Sequence, residues 1–231
     1  MSEPTASEKR RLFEGHPLFG GLSQDDLDAL LAHARVLRYP TGHEIFAKGS
    51  PDRSMMAILR GSVRISAPSP AGRDILLTIL QAGEVFGEIA LLDGHDRTAD
   101  ATAIADCEVL VLDHRDFIPF LERRGDICIS LLKVLCQRLR QTDQQLEDVV
   151  FERLDHRVAK ALIRLANSAP QGAKAGSVVS LGVSQLELAG MVGATRESVN
   201  KQLHVWQKVG VVRLEKRLIV IPDIAAVEAL A

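Results

Sequence analysis

The chain has 231 residues, of which 46% are hydrophobic and 25% charged, and its formal net charge is −2. This composition is ordinary for a globular protein, and the length suits one large or two small domains. No stretch approaches the roughly 20 apolar residues of a membrane span, and the N-terminus lacks the apolar core of a secretion signal, so we expect a cytoplasmic protein without membrane contact. The cysteines are scattered, which argues against a disulfide framework and against a metal or iron–sulfur site: Cys107, Cys128 and Cys136.

The charges are unevenly distributed along the chain. From Arg153 to the C-terminus there are 11 Lys and Arg against 6 Asp and Glu, whereas residues 1–152 carry 17 against 24. A basic C-terminal module on an acidic body is consistent with binding to a nucleic-acid backbone.

The N-terminal part changes from a helical to a β-rich pattern. Ser23 precedes acidic residues and an apolar stripe, as expected for the N-cap of a short helix. From Val36 to Asp113, short apolar and β-branched runs alternate with glycines. This pattern predicts an antiparallel β-roll of jelly-roll type, and so an α+β protein.

The segment FGEIALLDGHDRTADA, residues 86–101, has the chemistry of a sugar-phosphate site. A glycine turn leads into a helical start whose free N–H groups attract phosphate. Arg97, backed by the hydroxyl of Thr98, can add charge-assisted hydrogen bonds, and Glu88 can accept from a ribose hydroxyl.

Beyond Gly125 an uninterrupted segment without Gly or Pro predicts one long helix. Its apolar residues recur in steps of four and three, which is the a/d seam of a coiled coil, so we expect two copies of the helix to pair. The alternative is a single core-facing helix, which would show a broader apolar stripe. The dimer interface is predicted at Leu132, Leu135, Leu139, Thr142, Leu146 and Val149.

The C-terminal part has the pattern of a helix-turn-helix followed by a hairpin wing. Ser184 and Glu187 form a capping-box pattern, and Thr195 can cap the second helix. In such a motif the first turns of the second helix face base edges in the major groove. The residues predicted to contact double-stranded DNA are Thr195, Arg196, Glu197, Ser198, Asn200 and Lys201.

From about Leu18 to Ile221 the chain resembles the catabolite activator/FNR family of bacterial transcription regulators. FGEIALL with RTA is similar to the family's cyclic-nucleotide cassette, GATRESVNKQL to its recognition helix, and the segment Asp126–Phe151 to its dimerisation helix. The resemblance implies a noncatalytic homodimer that binds a two-fold symmetric operator and contacts RNA polymerase. A cyclic nucleotide would be its allosteric ligand, and no cofactor is implied.

The same resemblance implies the ligand contacts. Glu88 would meet the ribose 2′-hydroxyl, Arg97 and Thr98 the cyclic phosphate, and Thr142 the base. Thr142 falls where the cyclic-AMP-responsive branch places a threonine, which ranks cyclic AMP first. Asp143 departs from that branch, which commonly has serine there, and a carboxylate could accept from guanine, so cyclic GMP ranks second. The full predicted set is Phe86, Gly87, Glu88, Ile89, Ala90, Arg97, Thr98, Ala99, Thr142 and Asp143.

These patterns divide the chain into a cyclic-nucleotide-binding roll at 1–124, a dimerisation helix at 125–152 and a winged helix-turn-helix at 153–231. A second hypothesis keeps the DNA reader but makes the roll a structural module, or the receptor of another metabolite. Its signature would be DNA binding that does not depend on a cyclic nucleotide.

Overall fold

The computed structural model describes residues 22–68, 74–168, 178–215 and 218–231. The described residues form two compact units. The first consists of the described residues within 1–67 and 80–140, and the second of those within 68–79 and 141–231.

Two antiparallel four-stranded sheets have the strand orders β1-β8-β3-β6 and β2-β7-β4-β5. Their residues belong to the first unit, except for Pro68 of β4 and Asp74–Ile79 of β5, which fall in the second. The predicted β-roll is therefore confirmed, as is the mixed fold class. The strands are β1 Arg35–Tyr39, β2 Glu44–Phe46, β3 Ser54–Arg60, β4 Ser62–Pro68, β5 Asp74–Gln81, β6 Val85–Phe86, β7 Asp100–Ala103 and β8 Cys107–Asp113.

Three helices accompany these strands, namely α1 Gln24–His33, α2 Glu88–Asp93 and α3 His114–Arg123. Ser23 caps α1 by accepting from the N–H of Asp26, as the sequence predicts. Strand β3 is buried on both faces from Ser54 to Leu59, because β8 pairs with it and helices cover it. Its residues therefore supply both hydrophobic clusters of the unit.

Helix α4, Gly125–Phe151, runs from the first unit into the second and matches the predicted long helix. Near its start, Ile127 and Leu131 are buried in the core of the first unit. Among the described residues, no helix has the length and apolar character that crossing a membrane requires.

The second unit is a helix-turn-helix with a small antiparallel sheet of order β10-β11-β9. Val158, Leu162, Val199, Leu203 and Trp206 lie in its buried core. Residues 169–177, and Lys216 of the predicted hairpin wing, fall outside the described residues. The remaining elements are α5 Leu154–Asn167, β9 Val179–Leu181, α6 Gln185–Met191, α7 Arg196–Lys208, β10 Arg213–Glu215, β11 Leu218–Ile221 and α8 Ile224–Glu228.

A buried carboxylate joins the end of α4 to α5 within the second unit. Asp148 is 3% exposed and accepts from Lys160 at 2.9 Å, Arg164 at 3.2 Å and Gln144 at 3.3 Å. Burial raises the pKa of Asp148, but the hydrogen bonds from Lys160 and Gln144, with the nearby positive charges, outweigh burial and hold that pKa below its usual range. The cluster fixes α5 against the last turns of α4.

Candidate functional site

The turn between β6 and α2 depends on a glycine. Gly87 has φ +79°, and a Cβ at this position would lie 2.5 Å from Arg97 Nη1 and 2.8 Å from the carbonyl oxygen of Ser54. No larger residue fits without moving the arginine or the strand. The turn ends in α2, whose first N–H groups have no intrahelical partner.

Arg97 is buried, at 3% exposure, and its guanidinium is held from several sides. Nη1 donates to the carbonyl oxygen of Gly87 at 2.8 Å. Nη2 donates to Asp52 at 2.5 Å and to the hydroxyl of Ser54 at 3.0 Å. The ring of Phe46 lies 4.1 Å from the guanidinium carbon, whereas Nε has no hydrogen-bond partner among the described residues.

Glu88 is also buried, at 2% exposure, and it pairs with a residue that the sequence interpretation missed. Arg138 Nη1 donates to Glu88 Oε1 at 2.5 Å, and Arg138 Nη2 donates to the carbonyl oxygen of Val85. Since Arg138 lies on α4, this ion pair ties the cassette directly to the long helix. No local pattern distinguishes Arg138 from the other basic residues of that helix.

The other predicted ligand residues fall into two groups. Phe86, Ala90 and Ala99 are buried, while Ile89 and Thr98 are exposed. Thr142 and Asp143 lie on α4, four and five residues beyond Arg138, in the second unit. Their contact with a nucleotide base stays a prediction.

The predicted dimer seam lies on a face of α4 that the single chain leaves largely uncovered. Leu135 is half-buried, and Leu139 and Leu146 are 62% and 64% exposed. An apolar row of this kind is what a coiled-coil partner would cover, and the role of the seam as a dimer interface stays a prediction. The exposed seam residues are Leu132, Leu139, Thr142, Leu146 and Val149.

The two helices of the DNA reader begin at side-chain caps, as the sequence predicts. Ser184 and Glu187 form the capping box of α6. Thr195 caps α7 by accepting from the N–H of Ser198 at 3.2 Å, and its hydroxyl lies 2.9 Å from that of Ser198. These bonds define where the recognition helix starts, and therefore which side chains occupy its first turns.

One face of α7 is buried and the other presents the predicted DNA contacts. Val199, Leu203 and Trp206 anchor the helix in the core. On the opposite side Thr195, Arg196, Glu197 and Asn200 line a surface pocket, and Lys201 is exposed beside them. The Oδ1 atom of Asn200 is buried and has no partner among the described residues.

Comparison with known proteins agrees with both halves of this description. Residues 36–124 match the family described as "Cyclic nucleotide-binding domain", and residues 156–230 match "Crp-like helix-turn-helix domain". The chain is 34% identical over 206 residues to a CRP-like cAMP-activated global transcriptional regulator of Mycobacterium tuberculosis, covering 89% of this chain and 92% of that protein.

The chain belongs to the CRP/FNR family of transcription regulators. It is also 33% identical to the cyclic AMP receptor protein of Thermus thermophilus, over 94% of this chain and 98% of that protein. A solved CRP/FNR-family regulator from Thermus thermophilus superposes with a TM-score of 0.72 at 28% identity, covering 85% of this chain and 98% of the other. These relatives are transcriptional regulators and not enzymes, and the chain is a transcription regulator with a cyclic-nucleotide-binding domain and a Crp-like helix-turn-helix domain.

Proposed function

We propose that this protein is a homodimeric, sequence-specific transcription regulator whose DNA affinity is controlled by a cyclic nucleotide, cyclic AMP first and cyclic GMP second. The observation that carries the proposal is the Glu88–Arg138 ion pair. It connects the nucleotide cassette to the helix that we expect to form the dimer.

The cassette offers separate groups for the two parts of a cyclic nucleotide. Arg97 and the first N–H groups of α2 supply positive charge and donors for the phosphate. Glu88 can accept from the ribose 2′-hydroxyl while it still accepts from Arg138, because a carboxylate has several acceptor positions. The proposed site is Phe86 to Ala90 with Arg97 to Ala99, and the contact of Thr142 and Asp143 with the base stays a prediction.

Arg138 gives the ligand a route to the dimer helix. A nucleotide that shares the Glu88 carboxylate with Arg138 perturbs this ion pair, and Arg138 lies one helical turn before Thr142 on α4. The ligand can shift the dimer between two states only by its difference in affinity for them. Moving a 1:99 mixture to 99:1 requires roughly a 10⁴-fold preference.

The recognition helix then reads DNA with its first two turns. Arg196 and Lys201 can donate to guanine O6 and N7, and Glu197 can accept from cytosine N4. Thr195 and Ser198 hold phosphate, and Asn200 completes the surface. In a two-fold symmetric dimer the two α7 helices would meet half-sites about 34 Å apart.

Cyclic AMP stands first because the curated relatives from Mycobacterium tuberculosis and Thermus thermophilus are named for it. Asp143 keeps cyclic GMP second, since a carboxylate can accept from the amino and imino groups of guanine. As a bacterial transcription regulator, the protein would work in the cytoplasm, with RNA polymerase as a partner.

A second candidate is a regulator that binds DNA without a nucleotide. The observation that favours it is the occupied state of Arg97, whose two terminal nitrogens already have partners in Gly87, Asp52 and Ser54.

Parallel titrations separate the two candidates. Isothermal titration calorimetry measures the affinity of the full chain for cyclic AMP and cyclic GMP. Fluorescence anisotropy then measures its affinity for a semi-palindromic duplex, selected by the protein from a random pool, with and without each nucleotide. The proposal expects nucleotide binding and a gain in DNA affinity, whereas equal DNA affinity in all three conditions would support the second candidate.

A further inference from the structure

The carboxylate of Asp52 lies where a ligand phosphate would need to reach Arg97. It accepts from Arg97 Nη2 at 2.5 Å, and its partner is almost completely buried, with a side-chain exposure of 1%. An ion pair this close leaves the guanidinium with little net charge to offer a second anion.

Other contacts at the guanidinium limit where that second anion can bind. Nη1 is used by the Gly87 carbonyl, and Phe46 covers a face of the group. A phosphate that is to accept from Nη2 must therefore displace Asp52 or share the nitrogen with it. Ser54 also holds the Asp52 carboxylate, to which it donates from its backbone N–H at 3.2 Å and from its hydroxyl at 3.0 Å.

Asp52 differs from its partner in being able to leave. Its side chain is 44% exposed, so the carboxylate can turn towards water at modest cost, whereas Arg97 cannot. Water can therefore hydrate the Asp52 carboxylate once it leaves the pair, whereas water has little access to Arg97. The arrangement has a fixed cation and a displaceable anion.

We propose that Asp52 is a specificity-determining residue that competes with the ligand phosphate for Arg97. A phosphate without further contacts does not displace Asp52 from Arg97. A ligand must also gain contacts elsewhere in the cassette, such as the ribose contact to Glu88, before it displaces Asp52. The inference deepens the function proposed above, on which it rests.

The test compares Asp52→Asn with wild type in calorimetric titrations of the full chain with cyclic AMP and cyclic GMP. Removing the competing charge while keeping the shape should tighten the binding of both nucleotides by about three- to tenfold. The ratio of the two affinities should stay unchanged, because the phosphate is common to both. Asp52→Ala provides a second variant that removes the charge.

Asp93→Asn is the matched control. Asp93 is a carboxylate at the end of α2 with the same 44% side-chain exposure, and it accepts from the backbone N–H of His95 at 2.9 Å. This substitution makes the same change in net charge without touching Arg97, so its nucleotide affinities should stay within about twofold of wild type.

Inorganic phosphate supplies an independent readout. It should compete with the nucleotide more strongly in Asp52→Asn than in wild type, because the variant leaves Arg97 open to a bare anion. A merely structural role for Asp52, in which it holds Arg97 in place, predicts weaker nucleotide binding in the variant and no gain in phosphate competition.

The outcomes separate this inference from the proposed function. Nucleotide binding that is unchanged or weaker in both Asp52 variants, with normal binding by wild type, overturns the role of Asp52 alone. Absence of nucleotide binding in wild type and both variants overturns both proposals. Tighter binding in the Asp52 variants than in wild type and Asp93→Asn supports the competition.

Discussion

The nucleotide cassette and the recognition helix present their charged side chains in opposite ways. In the cassette, Glu88 and Arg97 are each at most 3% exposed, and each already has an ionic partner. On α7, Arg196, Glu197 and Lys201 are exposed. The N-cap and the buried face of the helix fix the position of its backbone. The difference indicates that a ligand must exchange with existing contacts in the cassette, whereas DNA meets side chains that are open to it.

The largest effect is expected from a substitution at Gly87, where the cassette is closely packed. Gly87→Ala would place a Cβ 2.5 Å from Arg97 Nη1 in a backbone conformation that alanine disfavours. We expect a loss of about 3 kcal/mol in unfolding free energy and at least tenfold weaker nucleotide binding. Thermal unfolding followed by circular dichroism, with nucleotide titration, measures both.

Gly94→Ala is the control for that prediction. Gly94 closes the same helix with φ +73°, but nothing lies within 4 Å of a Cβ added there. Backbone strain alone should cost about 1 kcal/mol and leave nucleotide affinity unchanged. Equal effects of the two substitutions would mean that packing around Arg97 is unimportant.

The buried charge of Asp148 in the second unit belongs to the framework and not to the DNA-reading surface. Asp148→Asn leaves Lys160 and Arg164 with a weaker acceptor and should lower the unfolding free energy by about 2 kcal/mol. Trp206 is the chain's single tryptophan and is buried in this unit, so its fluorescence reports the unfolding.

The pH dependence of that effect has a defined sign. The pKa of Asp148 is lowered by folding, so the unfolded chain binds more protons in acid, and the contribution is lost as the pH falls below the usual 3.8. The stability difference between wild type and Asp148→Asn should therefore shrink between pH 7 and pH 3. A stability difference between wild type and Asp148→Asn that does not depend on pH would exclude the ionised Asp148 carboxylate as its cause.

Asp155→Asn is the control for Asp148→Asn. It removes a carboxylate 3.3 Å from Arg153 and should lower the unfolding free energy by under about 1 kcal/mol.

The smallest effect is expected at the start of the recognition helix. Thr195→Ala removes the acceptor for the N–H of Ser198 and should cost about 1 kcal/mol, while Thr195→Ser should stay within a few tenths. Chemical unfolding followed by Trp206 fluorescence resolves these values. If serine is as costly as alanine, the capping hydroxyl does not stabilise the helix.

Local patterns were enough to predict most of the architecture. The caps at Ser23, Ser184 and Thr195 and the long helix depend on residues a few positions apart, and the structure confirms them. The β-roll was predictable from short β-rich runs that alternate with glycines, the helix-turn-helix from its capped helices, and the family from the resemblance of three separate motifs.

The partners of the cassette charges could not be predicted in the same way. Asp52 is 45 residues from Arg97, and Arg138 is 50 residues from Glu88. Each pair meets because the roll and α4 bring distant segments together, and neither partner stands in a motif. Sequence patterns predicted Glu88 and Arg97 as ligand contacts, which stays a prediction, but they did not predict that each side chain already has an ionic partner.

A nucleotide held at Arg97 is proposed to control DNA binding, and Arg97→Ala removes the side chain on which this control depends. Anisotropy of a labelled selected duplex measures DNA affinity for wild type and variant, with and without saturating cyclic AMP or cyclic GMP, while Trp206 fluorescence checks that the reader is folded. We expect at least one nucleotide to raise wild-type affinity by about 100-fold, as for a dimer that is roughly 1% active without ligand, and to leave the variant unchanged. An equal nucleotide-dependent gain in DNA affinity in Arg97→Ala, or full DNA affinity of wild type without nucleotide, would contradict control of DNA binding through Arg97.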